Sequence, residues 1–202
     1  PERRMSNAVA RSFESDLPFV YVNMVGGQDE LVYDGGSFAI NTGGKMAAHL
    51  PSFSEAVVVI SALQVGGVVT LSGQITPPDD GLEALYRGLC LGLRDYVQKN
   101  RFGGVVLGLS GGIDSALVAA LAVDALGPDQ VHAVMMPSAY TSQSSLDDAA
   151  ALAKAFDIRL DTVSIVLGID ALGGMLASQF AGTEPDITEE NMQSRLRGLI
   201  LM

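Results

Sequence analysis

The chain is 202 residues long, 48% hydrophobic, and carries a formal net charge of −11. Its length fits one domain or two small ones, and its acidity argues against nucleic acid, whose partners carry basic patches. No apolar run approaches the ~20 residues of a membrane span, no signal peptide opens the chain, and one cysteine excludes a disulfide framework, so no membrane partner and a cytoplasmic location are expected.

Residues 3–15 are predicted to form a helix, with Met5, Val9 and Phe13 on one face. After Pro18, Phe19 to Met24 has the composition of a strand, Gly26 to Glu30 of a loop, and Leu31 to Tyr33 of a short extended piece. Gly35-Gly36 interrupts the chain, Ser37 to Ile40 resumes it as a strand, and Asn41-Thr42-Gly43-Gly44 has hairpin-turn composition. Ala56 to Ile60 is predicted as a further buried strand. Glycine and proline punctuate residues 64–80, which have the character of an interdomain connection with a short strand at Val68 to Leu71.

Asp79 or Asp80 is expected to cap an amphipathic helix whose stripe is Leu82, Leu85, Tyr86, Leu89, Leu93, Tyr96 and Val97. Cys90 sits beside that stripe as a small buried hydrophobe. Val105 to Leu109 is predicted as a fully buried strand, Ala116 to Val123 as a buried helix, and Gly127-Pro128 as its stop. Val131 to Met136 is the second buried strand. Ser144 and Ser145 ahead of Asp147 and Asp148 suggest a capping box, followed by a helix packing Leu146, Ala149, Ala150, Ala153 and Phe156. Ile158 to Ile165 alternates as a third strand, and the β-α-β-α-β order demands a parallel sheet. A weakly amphipathic helix is expected from Gly168 to Phe180, a loop from Ala181 to Asp186, and a last helix capped by Thr188 with Met192, Leu196 and Leu199 inward.

The chemistry-bearing stretch is Gly108-Leu109-Ser110-Gly111-Gly112-Ile113-Asp114-Ser115. A strand, a small-residue loop and a helix together present backbone N–H groups and a helix N-terminus to a phosphate. Glycines let the backbone approach a ligand, and Ser110 and Ser115 offer hydroxyls. Asp114 is either a residue of the helix cap or a metal ligand: beside a phosphate, a carboxylate needs a cation between them, and Mg²⁺ binds through one or two carboxylates plus substrate phosphates. There is no Walker A lysine. In an open α/β sheet, ligands bind outside the carboxyl ends of the strands. This adds Met136-Pro137-Ser138-Ala139-Tyr140-Thr141-Ser142, where Tyr140 either packs or stacks on a base. Asn191, Ser194 and Arg195 share one face of the last helix with Arg197 nearby, and that face is either solvated or ligand-directed.

SGGIDS at a strand-to-helix turn resembles the PP-loop of the N-type ATP pyrophosphatases. Val20 to Phe38, with Val25-Gly26-Gly27-Gln28-Asp29-Glu30-Leu31 at its centre, resembles the C-terminal part of a nitrilase-type carbon–nitrogen hydrolase domain. Together with MPSAYTS and Glu190-Asn191-Met192-Gln193-Ser194-Arg195-Leu196-Arg197-Gly198, the combination resembles the glutamine-dependent NAD synthetases from end to end.

The resemblance implies an α/β chain in three parts. Residues 1–65 would be the tail of a nitrilase-like α-β-β-α sandwich, 66–80 a linker, and 81–202 the start of a truncated, doubly wound, Rossmann-like PP-loop domain. It implies a carbon–nitrogen ligase that amidates deamido-NAD to NAD with ammonia from glutamine, through an acyl-adenylate whose formation releases pyrophosphate and whose amidation releases AMP. Gly108 to Ser115 would line ATP, Asp114 would hold Mg²⁺, and Asn191 and Arg195 would touch deamido-NAD. Such enzymes are expected to be homo-oligomers. The glutaminase Glu–Lys–Cys triad is expected upstream of Pro1 and further ligands beyond Met202, leaving no catalytic residue of the triad here and the piece alone inactive. SGGIDS by itself also admits GMP synthetase, asparagine synthetase and tRNA-thiolating relatives, or a nucleotide-binding module without turnover.

Overall fold

A computed structural model of the chain describes residues 2–79, 81–182 and 187–202. The chain divides into two compact units, Pro1–Lys99 and Asn100–Met202.

The first unit begins with α1 (Glu2–Ser15). Its inner face is Ala8 and Ser12, with Met5 and Val9 beside them; Phe13, expected on that face, is 64% exposed. Ser12 is tolerated there because its hydroxyl donates to the Leu17 carbonyl at 2.7 Å. The helix packs against β1 (Phe19–Tyr21) and β4 (Phe38–Ile40), which with β5 (Met46–His49) form an antiparallel sheet in the order β1-β4-β5. Alternation sends Phe38 and Ile40 toward α1, and Ala39 toward Ala47, Ala48 and Leu71 on the other face. Burying Ile40 completely is worth about 1.5–3 kcal/mol. The Asn41–Gly44 turn closes as expected: the Gly44 N–H donates to Asn41 O at 3.0 Å, and both glycines have positive φ.

Among the expectations overturned in this unit, two concern strands. Gly26 to Glu30 is not a loop. Val25–Gln28 forms β2, paired antiparallel with β3 (Leu31–Asp34), and the turn shrinks to Asp29 and Glu30. Glycine signalled flexibility in the sequence, whereas here it marks a close backbone approach. Nor is Ala56 to Ile60 a buried strand: it has no ladder, and Val57 is 99% exposed. Pairing falls instead on β6 (Ser61–Val65) and β7 (Val68–Ser72), because Gly66 and Gly67, with φ of 57° and 84°, make the tight turn that sets Val65 opposite Val68.

α2 (Gly81–Lys99) forms where the apolar period predicts it. Its packed face differs, however. Cys90, Leu91 and Val97 are buried, while Leu82, Leu85, Leu89 and Tyr96 of the predicted stripe are about half exposed or more. Small residues decide this: Gly88 and Gly92 let α2 lie close to Phe53 and Val32, so the glycine face wins contact with β2 and β3. Asp79 holds Arg87 in an ion pair, and Arg87 also donates to Ser52 O at 2.9 Å. Asp80, the other expected cap, lies outside the described residues.

In the second unit β8 (Val105–Gly108), β9 (Val131–Met135) and β10 (Arg159–Thr162) form a parallel sheet in the order β10-β9-β8. β8 is less buried than predicted, with Val106 at 51% exposure, because it is paired along one edge only among the described residues. α3 (Ile113–Leu126) connects β8 to β9 and α4 (Gln143–Ala155) connects β9 to β10. α3 buries Ala119, Ala122 and Ala125 but leaves Leu117 and Val118 exposed, so it is one-sided and not wholly buried. Ser142 caps α4, two residues before the predicted box, accepting from the Ser145 N–H at 3.2 Å. α5 (Val166–Leu176) and α6 (Ile187–Leu201) follow. Val134, Met136 and Ile165 pack against Ile169, Leu196, Ile200 and Leu201. Leu199, predicted inward, is 67% exposed, and Thr188 lies inside α6 and not at its cap. Part of the predicted Ala181–Asp186 loop, from residue 183 on, lies outside the described residues. Among the described residues, no helix is long and apolar enough to cross a membrane.

Arg4 and Asp34 supply a pH-dependent tie in the first unit. Two bonds of 2.6 Å join them, and Asn23 Nδ2 donates to Asp34 at 2.9 Å. Burial by itself would push the Asp34 carboxyl up, but the Arg4 hydrogen bonds and charge outweigh it and hold the carboxyl below its ordinary range. A depressed carboxyl pKa stabilises the fold above the unfolded value of about 3.9, and that stability is lost as pH falls through the folded value. The urea midpoint should therefore drop as pH is lowered below about 4, and Asp34→Asn should flatten that drop. A drop as steep in the Asp34→Asn variant as in the parent would remove this pair as its source.

Candidate functional site

The loop after β8 is shaped by the protein's own backbone. The Leu109 N–H donates to Val134 O at 3.0 Å, extending the ladder one residue past the strand. Gly111 then adopts φ +80°, and a Cβ there would lie 2.3 Å from Ser145 O. The glycine is thus demanded by α4, whose first turn occupies the space a side chain would need. Gly112 differs: its φ is −85°, and a Cβ would meet Ser110 Oγ at an ordinary 3.4 Å. It is the N-cap of α3 and offers no capping side chain. The first N–H groups of α3 therefore lack intrahelical acceptors and present its positive end.

Ser110 and Ser115, expected to offer hydroxyls, brace the loop. The Ser110 N–H donates to Ser115 Oγ at 3.2 Å, the two hydroxyls stand 3.1 Å apart, and Ser115 Oγ donates to Gly112 O at 2.9 Å. Asp114 lies in the first turn of α3 with its side chain exposed. It does not occupy the cap position, and it makes no hydrogen bond or ion pair among the described residues.

A cavity of about 480 Å3 opens at the carboxyl edge of the sheet. Gly108, Leu109 and Ser110 line it from β8, Met135 to Pro137 from β9, Thr141 and Leu146 from α4 and its approach, and Ser194, Arg197, Gly198 and Leu201 from α6. Of the eight loop positions read from the sequence, these first three face it. Ile113 and Asp114 stand exposed at the start of α3, outside the lining. Asn191 and Arg195 are exposed on α6 and do not line it either. The arginine that does is Arg197, whose Nε donates to Met136 O at 3.2 Å and whose Nη2 donates to Gln193 Oε1 at 3.4 Å. In the sequence Arg197 was only a neighbour of the polar face. Its signal is the two-residue offset that puts it beside Leu201, on the side that meets the sheet. Tyr140 is 87% exposed and does not line the cavity.

A second cavity, of about 440 Å3, lies at the amino edge, with His132 and Arg159 in its lining. Asp161 accepts from Arg159 at 2.6 Å and pairs with His132 Nε2 at 2.9 Å. The Arg159 hydrogen bond, aided by His132, holds its carboxyl below the ordinary range. These groups satisfy one another across β9 and β10, and parallel sheets bind ligands at the opposite edge. The carboxyl-edge cavity is therefore the candidate site.

A parallel sheet, a glycine loop at the end of its first strand and an open helix N-terminus beside a cavity define an α/β domain with its candidate site at the carboxyl edge of the sheet. The chain belongs to the NAD synthase family, whose profile matches residues 85–202. It is 55% identical over 195 residues to the glutamine-dependent NAD(+) synthetase of Rhodobacter capsulatus, covering 96% of this chain and 35% of that protein. Among solved structures it resembles the glutamine-dependent NAD+ synthetase of Acinetobacter baumannii in complex with ADP, at 40% identity and TM-score 0.92, covering 100% of this chain and 38% of that one. The ammonia-dependent NAD synthetase of Campylobacter jejuni, solved with nitrate, matches 61% of this chain and 51% of its own, at 29% identity and TM-score 0.53. The chain thus spans about a third of the length of its glutamine-dependent relatives.

The contrast between the two loop glycines is testable. Gly111→Ala should destabilise the fold by more than about 1–2 kcal/mol, since left-handed strain adds to the clash with Ser145. Gly112→Ala should cost less than about 1 kcal/mol while weakening nucleotide binding, because its new methyl group stands at the open helix end. Urea midpoints and nucleotide titration of the two variants check this; equal stability losses would refute the assignment.

Proposed function

We propose that the protein carrying this chain is a ligase that amidates deamido-NAD to NAD with ATP cleavage to AMP and pyrophosphate, using ammonia drawn from glutamine. The observation that carries the reading is the Ser110–Ser115 loop at the carboxyl end of β8, with the positive end of α3 open beside a cavity, inside the segment matched by the NAD synthase family. The extent of similarity supports the nitrogen source: the glutamine-dependent relatives match 96–100% of the chain, the ammonia-dependent one 61%. On this reading residues 1–65 end a nitrilase-like amidase domain, 66–80 connect, and 81–202 begin a doubly wound synthetase domain.

In the proposed reaction, a carboxylate oxygen of the nicotinate attacks the α-phosphorus of ATP, and the bond to the β-phosphate oxygen breaks with pyrophosphate leaving. Ammonia then attacks the acyl carbon, AMP departs, and the amide remains after proton loss. The residues of this chain bind and orient. Backbone N–H groups from Gly111 to Ser115 and the α3 N-terminus receive the phosphates. Ser110 and Ser115 hold the loop's shape before ligand arrives. Arg197 fixes the Met136 carbonyl, and with it the start of the segment that lines the cavity from β9. Asn191 and Arg195, exposed on α6, would contact deamido-NAD.

Asp114 fits a Mg²⁺ site, since its exposed carboxylate beside the loop has no partner among the described residues. One carboxylate together with phosphate oxygens is a donor set Mg²⁺ accepts, and the ion would offset the charge of the phosphates and of the departing pyrophosphate.

Asp114→Asn in the full-length protein tests this. Asp114 does not occupy the cap position, so stability should change by no more than about 1 kcal/mol, the value of a charge in the first helical turn. Adenylation should fall at least about tenfold, equivalent to about 1.4 kcal/mol on the barrier, and half-maximal rate should need more Mg²⁺. A parental rate and Mg²⁺ dependence, read as AMP and NAD formed, would remove Asp114 from metal binding.

A further inference from the structure

We propose that the open edge of β6 is an interface at which a second copy of the protein adds its own β6, antiparallel, across a two-fold axis through Leu63. The two edges of the β6–β7 hairpin are treated differently. On β7, the Leu71 N–H donates to Asn41 Oδ1 at 2.7 Å and Leu71 O accepts from Asn41 Nδ2 at 3.0 Å. Leu71 therefore exchanges no ladder bonds with Ala62, its partner on β6. The bonded pairs are the alternate ones, Ser61–Ser72, Leu63–Thr70 and Val65–Val68, the last closing the Gly66-Gly67 turn. Ala62 and Gln64 consequently turn their N–H and C=O groups away from β7, and no hydrogen bond from the described residues reaches them there. One side chain seals the β7 edge, and the β6 edge stays open.

An open edge is a template for strand addition, and edges are ordinarily blunted with lysine, proline or a bulge. β6 has none of these. It reads Ser-Ala-Leu-Gln-Val, pairs with β7 without a register shift, and exposes all of its residues. No charged residue occurs from Ala56 to Pro78, although the chain carries a net −11. Strand alternation sets Val69 and Leu71 toward Ala39, Ala47 and Ala48, which leaves Leu63, Val65 and Val68 on the outer face at 62–66% exposure.

Charge and register both select a second copy as the occupant. Two copies that each carry −11 repel where charged surfaces come within the about 8–10 Å that salt leaves to such fields. Residues 56–78 are a stretch at which they can meet without that cost. An antiparallel pair of identical strands is also self-complementary about a two-fold axis, as an isologous dimer requires. With Leu63 on the axis, Ala62 stands opposite Gln64 of the second copy and Ser61 opposite its Val65. The outward groups of Ala62 and Gln64 then bond one another on both sides of the axis. Leu63 meets Leu63 in a pair without ladder bonds, with about 4.5 Å between Cα atoms. The hairpins fuse into one antiparallel sheet, β7-β6-β6-β7, with Val68, Val65 and Leu63 of both copies in one apolar strip. An axis at Ala62 or Gln64 would set an outward residue of β6 opposite Ile60 or Gly66, outside the strand, so the register centred on Leu63 is favoured. This interface stands independently of the ligase reading.

The test is the assembly state of the full-length protein by sedimentation velocity over a concentration series. The samples are the parent, Leu63→Lys, Leu63→Glu, an equimolar mixture of those two, and Gln64→Pro. The parent should assemble in even numbers. Each charge variant should dissociate at least about tenfold more readily, since a like charge then faces itself across the axis. The mixture should regain parental assembly, because lysine meets glutamate only where position 63 faces position 63. Gln64→Pro should also dissociate, for it removes an outward N–H that the ladder with β7 does not use. A monomeric parent, or any of the three variants assembling as the parent does, overturns the proposal. So does a mixture no more assembled than its components, which would assign the β6 edge to a different segment.

Discussion

The backbone of Gly111 passes so close to Ser145 that no side chain fits between them. Much of the site follows from that contact. With the loop pressed on the first turn of α4, the chain must turn through a left-handed conformation and enter α3 at once, with glycine as its N-cap. A glycine cap leaves the helix end unoccupied, which is unfavourable for an isolated helix and useful for one that meets an anion. Ser142 makes the opposite choice at α4, closing that helix with its own hydroxyl. Two neighbouring helix starts at one sheet edge are thus treated differently, one sealed and one open, and the open one follows the glycine loop.

The same small-residue logic recurs in the first unit. Gly27, Gly88 and Gly92 do not loosen the chain there; they let α2 settle on the β2–β3 hairpin and Phe53. The result is a helix whose sequence family and packing partners differ. Residues 85–202 carry the family match, yet the compact division falls after Lys99. A boundary placed by composition, at the Gly- and Pro-rich stretch before α2, follows chain chemistry. The packing boundary follows the bonds of Asp95 and Lys99 to Gly27 and the Arg87 contacts, which composition does not register.

Helices and the β-α-β-α-β order were legible because their signals are local: apolar periods, Gly127-Pro128, and the strand–loop–helix spacing around Ser110. What failed depends on distant partners. Gly26-Gly27 looked like a loop because Asp95 and Gly92, which account for the glycines, come more than sixty residues later. Ala56 to Ile60 has strand composition, but β-branched residues need a ladder partner, and the Gly66-Gly67 turn assigns the pairing to Ser61–Val65. The motif singled out the loop positions, but their division into cavity-lining, bracing and exposed places was not legible. On α6 the sequence grouped Asn191, Ser194 and Arg195 and placed Leu196 inward, as it is, yet only contact with Val134 and Met136 reveals that Ile200 and Leu201, in place of Leu199, join it and bring Arg197 with them.

Charge completes the account of the site. A chain of net charge −11 repels polyanions at a distance, and salt screens that field beyond about 8–10 Å. Recognition of a nucleotide must therefore be local. Among the described residues lining the cavity, Arg197 is the charged one, and its Nε is committed to Met136 O. Guanidinium has five donors in a fixed fork, so that bond fixes the group's position without exhausting it. The α3 N-terminus adds roughly half a positive charge, still less than a triphosphate requires. An exposed Asp114, without a partner among the described residues, would worsen the balance beside such a site if it stayed alone. With a divalent cation between it and the phosphates, the same carboxylate would become an attractive element, and this is the physical ground for the proposal that ATP and Mg²⁺ bind the loop together.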